Sequence, residues 1–496
     1  MNKQEIIDYY NDLCELSREE LSRLKYRSMN PKYSSSLIES IFGSWNDFVK
    51  EAKDFLKLSR YEIQKVCNKN KAVVSYISDG ASLNLDFFIT LKYYAEVNNA
   101  DLYILWGKSS KGTKTFTKYE YEILSPYLVT EVNFTKDEHT IIKDFLIPIT
   151  QKNPLMNLDK LSTFYKTVVV GSTKQYLKIL PYKQYTSYRV ACSTGSLGEI
   201  DYKDTVAGYI DAKYHTFGAI LLEYSESDLR YKVRNLVYKD NCIIDLNKKY
   251  SKQQVTNLKS SLAMVLGDLH LPDEDEDALS STMSQIDLLK PKFAMIHDIA
   301  SWNSISHHDF NNHLSKVKNT TEYTSDLKTE LSSVLQRLDF FTSCFPDVTF
   351  KIVNSNHDNF IVKWLEKGEF IKDSKNAVIG AELFVKYTQN RNILDDKLPD
   401  NVELLNFNES FNVGGFELSE HGDSGISGAN GSINAFSKTF SNSIIGHTHS
   451  PELKEDVVVV GTLSKLKLSY NQKGMTTWAH CNAIIYENNT AQLLFL

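Results

Sequence analysis

The side chains best suited to chemistry are Asp, His and Asn residues that recur at the ends of short apolar runs. Ile444-Ile445 ends in Gly446-His447-Thr448-His449. On an extended chain residues i and i+2 point to one side, so both imidazoles are expected to face one point, as metal ligands do. Upstream, Met264-Val265-Leu266-Gly267 runs into Asp268-Leu269-His270, and Phe293-Ala294-Met295-Ile296 runs into His297-Asp298. Val348 to Val353 runs into Asn354-Ser355-Asn356-His357-Asp358, and a segment around Phe416 and Leu418 runs into His421-Gly422-Asp423. A single ending of this kind is also what a polar surface turn looks like. Five in order indicate a site, because ligands of open α/β sheets gather beyond the carboxyl ends of strands. Ten of the twelve histidines lie between 270 and 480, although His307, His308 and His313 also read as polar surface.

The order and types of these blocks resemble the calcineurin-like metallophosphoesterases. That family reads Asp-x-His, then Asp, then Asn-His-Asp/Glu, then His, then Gly-His-x-His, and the matching stretch spans Gly267 to His449. The resemblance implies that Asp268 and His270, closed by His449, hold one metal, and that Asn356, His421 and His447 hold another. Asp298 would bridge the two. Mixed carboxylate, amide and imidazole donors suit Mn²⁺, Fe or Zn, and two divalent ions, Mn²⁺ foremost, are the expected cofactors. Ions roughly 3.5–4 Å apart can clamp the attacking and leaving oxygens of a phosphoryl transfer. His357 would serve as general acid to the leaving oxygen, with Asp358 orienting it. A loop carrying Ser306-His307-His308 would reach the substrate phosphate. One block departs from the pattern. The family's Gly-Asp-x-x-Asp is here His297-Asp298-Ile299-Ala300-Ser301, which keeps the bridge and loses its later carboxylate. The implied fold is a four-layer sandwich of two mixed sheets flanked by helices, over residues 258–496.

The rest of the chain has to position these loops. At 496 residues more than one domain is expected. A net charge of −6 excludes a generally basic nucleic-acid binder, so any such contact needs a local patch. The six cysteines form no Cys-x-x-Cys pair, which points away from a zinc ribbon or a disulfide framework and towards a reducing cytoplasm. Neither a signal-peptide core nor a membrane-spanning apolar run is present, so no membrane partner is expected. Acidic residues 273–277 read as a solvated helix start, and 315–338 reads as an exposed scaffolding helix. The small-residue run from Gly422 to Gly431 suits either close backbone approach to a phosphate or plain loop packing.

Residues 70–250 alternate strand and helix signals, as in a parallel α/β unit. Ala72 to Ile77 and Leu102 to Leu105 read as strands around a helix from Leu83 to Val97, with later runs at Val168-Val169-Val170 and Ala219 to Leu222. Gly171-Ser172-Thr173-Lys174 lacks the first glycine and spacing of a Walker loop and reads as a turn. His215 reads as a structural histidine. The order Val168 to Lys174, Thr194-Gly195, Gly208, then His215 to Ala219 resembles the middle region of large phage metallophosphoesterases, among them the pre-early nucleases of some tailed phages.

Residues 1–60 read as helical. Ile6, Tyr10, Leu13 and Cys14 share a face. Ser17 is placed to cap a helix from Arg18-Glu19-Glu20, the serines 34–36 to start a second, and Ser44 to cap a third after Gly43. This layout is that of a helix-turn-helix. Tyr26, Arg27, the serines and Phe42-Gly43-Ser44-Trp45 resemble the small DNA-binding repeat found beside homing endonucleases. DNA contact through Arg18, Arg23, Lys25, Arg27 and Lys32 and docking on a neighbour or a second copy of the chain, as in a homo-oligomer, stand as equal readings. The expected function is a metal-dependent nuclease cutting DNA, phage-encoded and acting in the host cytoplasm. The alternatives are a phosphatase or phosphodiesterase for a small phosphorylated substrate, and a scaffold with a degenerate site.

Overall fold

Strands form where β-branched and aromatic residues run together, and helices where serine, asparagine or aspartate can close a first turn. The computed structural model describes residues 3–17, 21–56, 63–79, 81–107, 116–148, 151–183, 187–305, 326–389, 391, 394, 397–406, 409–439, 442–468, 471 and 473–496. The chain divides into two units. The first comprises Met1–Met156, Thr167–Gln175 and Cys192–Tyr231, and the second Asn157–Lys166, Tyr176–Ala191 and Lys232–Leu496. The protein is mixed α/β, with several mixed sheets. Among the described residues no helix is long and apolar enough to cross a membrane.

In the first unit, helices Lys3–Ser17, Arg23–Ser28, Ser35–Phe42 and Trp45–Leu56 bury Ile6, Tyr10, Tyr26, Ile38, Trp45 and Phe48 against one another. Tyr10 and Phe48 meet edge to face at 4.9 Å, the arrangement their ring quadrupoles favour. Ser34 caps through Leu37 N–H (3.2 Å) and Ser44 through Asp47 N–H (3.1 Å). Gly43, at φ +92°, ends the intervening helix with its N–H on the Glu39 carbonyl (2.9 Å), a conformation glycine adopts without a Cβ clash. The helix expected after Ser17 falls on residues 18–20. Ser17 closes the first helix, its hydroxyl donating to the Leu13 carbonyl (2.8 Å), and Ser22 caps the next by accepting from Lys25 N–H (3.3 Å). Residues 18–20 lie outside the described residues.

The same unit holds the anticipated strand–helix–strand. Lys71–Ser78 pairs in parallel with Asp101–Gly107 across helix Leu85–Val97. That helix starts after Asn84, whose side chain accepts from Phe87 N–H (2.9 Å), and so two residues later than its apolar pattern suggested. The 171–174 segment is not a plain turn: Ser172 bridges to Gly195, the chain bends at Thr173 and Lys174, and Lys174 is buried on Asp211 (2.8 Å). His215 Nδ1 lies 2.8 Å from the Tyr202 hydroxyl, and its ring packs edge-on against Phe217.

In the second unit a six-stranded sheet runs Val402–Leu404, Thr349–Ile352, Phe293–Ile296, Ala263–Val265, Cys481–Ile485, Ala491–Phe495. The first four strands are mutually parallel and the last two antiparallel. Helices Glu276–Leu289, Leu327–Ser343, Asn359–Glu366 and Ala377–Thr388 bury Ile286, Val334, Trp364 and Leu383 in one core with Met264, Ile296 and Ile352 of the sheet. The expected 315–338 helix thus begins at Leu327, after Asp326 as cap, and residues 306–325 lie outside the described residues. A second set of strands includes Phe416–Glu417, Ser443–Ile445 and Val457–Val459 in parallel, with helix Ile433–Phe436 packed on it.

Burial pushes the His215 pKa down to about 4, from an ordinary 6.5. Folding therefore favours the neutral ring, a contribution present in full above pH 6.5 and lost as pH falls through about 4. Denaturant unfolding between pH 7 and 4.5 should show a loss of at most about 3 kcal/mol that His215→Asn does not show.

Candidate metal centre

Every candidate ligand sits just beyond a strand of the second unit, and backbone hydrogen bonds tie the loops to one another. The loop after Ala263–Val265 begins at Gly267, where a Cβ would lie 2.9 Å from the Thr462 carbonyl carbon. Its N–H donates to Asn482 Oδ1 (2.9 Å), and the Thr462 hydroxyl donates to the Asp268 carbonyl (2.9 Å). His270 N–H donates to the Asp298 carbonyl (2.7 Å), joining the first loop to the second. His447 N–H donates to Asp268 Oδ2 (2.8 Å), joining the fifth to the first. Gly446 N–H donates to the His421 carbonyl (2.8 Å), joining the fifth to the fourth.

These ties hold four non-glycine residues in the left-handed region: His270 at φ +52°, Asp298 at +43°, His447 at +72° and His449 at +57°. Each costs on the order of 1–3 kcal/mol, and such strain gathers at functional sites. It also corrects one expectation. His447 and His449 are not on an extended chain and do not face one point. His449 Nε2 lies 3.0 Å from Asp268 Oδ2 and 3.0 Å from His270 Nε2. His447 Nδ1 lies 3.1 Å from Asn356 Oδ1, which is also 3.0 Å from His421 Nε2. Between these two sets stands Asp298, whose Oδ2 is 3.4 Å from His270 Nε2 and 3.4 Å from His421 Nε2.

The residues fit a metal. Asp268, His270, Asp298 and His449 form one buried group whose donor atoms lie within 4.8 Å of one another, and Asp268, His297 and His421 form a second. Two imidazole nitrogens lie 3.0 Å apart and an amide oxygen faces two more, a convergence of donor-set atoms that a cation can bridge. Asp268 Oδ1, His270 Nδ1, Asp298 Oδ1 and His449 Nδ1 are buried with no hydrogen-bond partner among the described residues. The buried Asp/His group can therefore hold a metal ion.

Protonation follows the same logic. Burial drives His270 down to about 3 and His297 to about 4, so both are neutral and able to ligate at pH 7. Burial works to raise Asp298, but the charge on His421 outweighs it and holds the carboxyl well below its usual range. His421 goes the other way. Burial would lower it, yet the adjacent Asp298 carboxylate lifts it to about 9.

His357 lies at the rim of this group, its ring edge-on to His270 at 4.7 Å and over Phe360 at 4.6 Å, with no partner for Nδ1 among the described residues. Asp358 does not orient it as expected. Its Oδ1 accepts from Trp302 Nε1 (3.3 Å) and its Oδ2 from the Ser355 hydroxyl (2.7 Å), so it braces the loop that carries Asn356. Burial raises the Asp358 carboxyl to about 7, helped by the Asp298 charge. His307 and His308 lie outside the described residues.

The acidic run after the first block starts a helix, as expected, with Asp275 as its cap (Ala278 N–H, 3.1 Å). It is not wholly solvated, because Asp273 and Glu274 are buried. Asp273 accepts from Asn303 Nδ2 (2.8 Å) and Glu274 pairs with Arg337. The 422–431 loop packs on itself, and a Cβ at Gly431 would overlap the Gly422 carbonyl. His297, Thr462, Asn482 and Trp478, whose ring is 4.2 Å from that of His449, were not anticipated as site residues. Only His297, beside Asp298, carried a signal in the sequence.

Fold and site together define a mixed α/β protein with a buried Asp/His group able to hold a metal ion. Among curated proteins the chain is similar to "Protein A1" of Escherichia phage T5, with 24% identity over 487 residues, covering 90% of this chain and 85% of that protein. No protein-family model matches the chain, and no solved structure matches it significantly.

A Cβ at Gly446 would lie 2.2 Å from Asp268 Oδ1 and 3.2 Å from His297 Cγ. Gly446→Ala should therefore cost about 1–3 kcal/mol and lower the metal bound per chain. Elemental analysis beside thermal unfolding checks both effects, and an alanine variant with full metal content would contradict this packing.

Proposed function

We propose that this chain is a two-metal phosphoesterase that hydrolyses DNA phosphodiester bonds. The observation that carries the reading is Asp298 Oδ2 at equal distance from the nitrogens of two donor sets, the position of a shared ligand. Asp268, His270 and His449 would hold one divalent ion and Asn356, His421 and His447 the other, with Mn²⁺ matching the mixed donors. Such ions supply Lewis acidity and lower the pKa of a water at neutral pH. The protein's own groups do the rest. Buried walls exclude bulk solvent around Asp268, His270 and Asp298. His357 gives a proton to the leaving oxygen from its place beside His270. Burial lowers its pKa, and the phosphate charge of a bound substrate opposes that by favouring the imidazolium. Asp358, through Trp302 and Ser355, fixes the loop. The two mixed sheets with their helices are consistent with the four-layer sandwich of this enzyme class. Three modules, at 1–60, 70–250 and 258–496, remain our proposed division of labour. Similarity to a phage protein supports phage origin, and action on DNA in the host cytoplasm is part of the proposal.

A small phosphorylated substrate is the second reading, and one observation favours it. In the helical module, bases proposed for DNA contact are engaged within the module. Arg23 pairs with Glu39 (2.6 Å), Lys32 with Glu5 (3.4 Å), and Arg27 Nε donates to Ser35 Oγ (2.6 Å).

Incubation of the full chain with Mn²⁺ and linear or circular duplex DNA, beside a generic phosphate ester, separates the two. DNA loss is expected, abolished by Asp298→Ala and reduced about 10²–10⁴-fold by His357→Ala. Ester turnover with intact DNA would shift the assignment to the phosphatase. Activity undiminished in His357→Ala would remove that residue from the mechanism.

A further inference from the structure

We infer that His297 is a positioning residue that sets the orientation and tautomer of His421. The inference rests on the two-metal reading and deepens it. His297 ends the strand Phe293–Ile296, and its side chain is fully buried. Its Nδ1 is 3.3 Å from His421 Nδ1, and the rings are tilted by 31° at 5.5 Å. On the far side of the His421 ring, Nε2 faces Asn356 Oδ1 at 3.0 Å and Asp298 Oδ2 at 3.4 Å.

A neutral imidazole has one N–H and one lone pair. If His421 offers the Nε2 lone pair to the donor set, its proton sits on Nδ1 and needs an acceptor, and His297 Nδ1 stands where that acceptor has to be. A ligating histidine commonly donates its other N–H to a carboxylate, a carbonyl or water, which fixes the ring and raises its basicity. Here a second imidazole takes that part. The bond also fixes His297, which then carries its own proton on Nε2. The same side chain groups with Asp268 as well as His421. Its carbonyl accepts from Leu269 N–H (3.0 Å), next to Asp268. One residue thus backs a ligand from each set, and it sits where the resembled family has glycine and no side chain at all.

Three variants separate this role from space filling: His297→Asn, whose amide oxygen can stand where Nδ1 was, His297→Gln, whose polar end reaches further, and His297→Leu, which fills the volume without an acceptor. Mn²⁺ bound per chain is measured by equilibrium dialysis, and electron paramagnetic resonance distinguishes a spin-coupled pair from an isolated ion. The wild type is expected to bind two ions and give the coupled signal. His297→Leu and His297→Gln are expected to keep one ion and lose affinity for the second by about 10–100-fold, leaving an isolated-ion spectrum. His297→Asn should recover the coupled signal. If the leucine variant does not fold, as judged by circular dichroism, the contrast between Asn and Gln carries the test alone. Two ions at wild-type affinity in the leucine or glutamine variant would overturn the inference while leaving the two-metal reading intact, as would equal loss in the Asn and Gln variants. A wild type that binds fewer than two ions would overturn both.

Discussion

The Asp298 carboxylate, sealed from water among imidazoles, is the constraint on which the second unit depends. An ionised carboxylate in such a place is costly unless opposite charge and hydrogen bonds replace its hydration. His421 supplies part of that charge, which is why its pKa rises to about 9 while its neighbours His270 and His297 fall to about 3 and 4 through burial. Oδ1 of Asp298 still has no partner among the described residues. A cation answers the remaining deficit, so the electrostatics of folding and the capacity to hold a metal have one origin.

Holding that carboxylate in place requires loops from distant parts of the chain to meet, and the backbone bears the cost. The bonds from His270 N–H to the Asp298 carbonyl and from His447 N–H to Asp268 keep His270, Asp298, His447 and His449 at positive φ. Local preference opposes these conformations in non-glycine residues, so they persist only because the parallel strands beneath fix where each loop begins. Gly267 and Gly446 serve the same end, since a Cβ at either would strike Thr462 or Asp268. The helices Glu276–Leu289 and Leu327–Ser343 bury apolar faces on the sheet and so give the strands a rigid base. Asp358 extends the scheme outward by locking Asn356's loop to Trp302 and Ser355.

Much of this was legible in the amino-acid sequence, because apolar runs of strand length report burial and because Asp, His and Asn at their ends report where backbone leaves the sheet. The strands, the strand–helix–strand of the first unit, the caps at Ser34 and Ser44 and a helix start within 273–277 follow from such local patterns. Local pattern failed where a competing partner lay far away in sequence. The acids at 273–277 looked solvated, but Asn303 and Arg337, reached only through tertiary contact, draw Asp273 and Glu274 inside.

The sequence by itself determined the donor inventory, its order and its location beyond strand ends, since these depend on residue type and short-range periodicity. The family resemblance already implied how the donors divide, but only the tertiary structure decided how the backbone aims them. His447 and His449, two residues apart, part to different sets because left-handed backbone, imposed by bonds to Asp268 across 179 residues of chain, overrides the two-residue alternation of an extended strand. It also turned His297 towards His421, 124 residues away, and Asp358 away from His357 towards Trp302. Side-chain direction at the end of a strand is set by non-local hydrogen bonds and by burial, and neither leaves a periodic trace in the sequence.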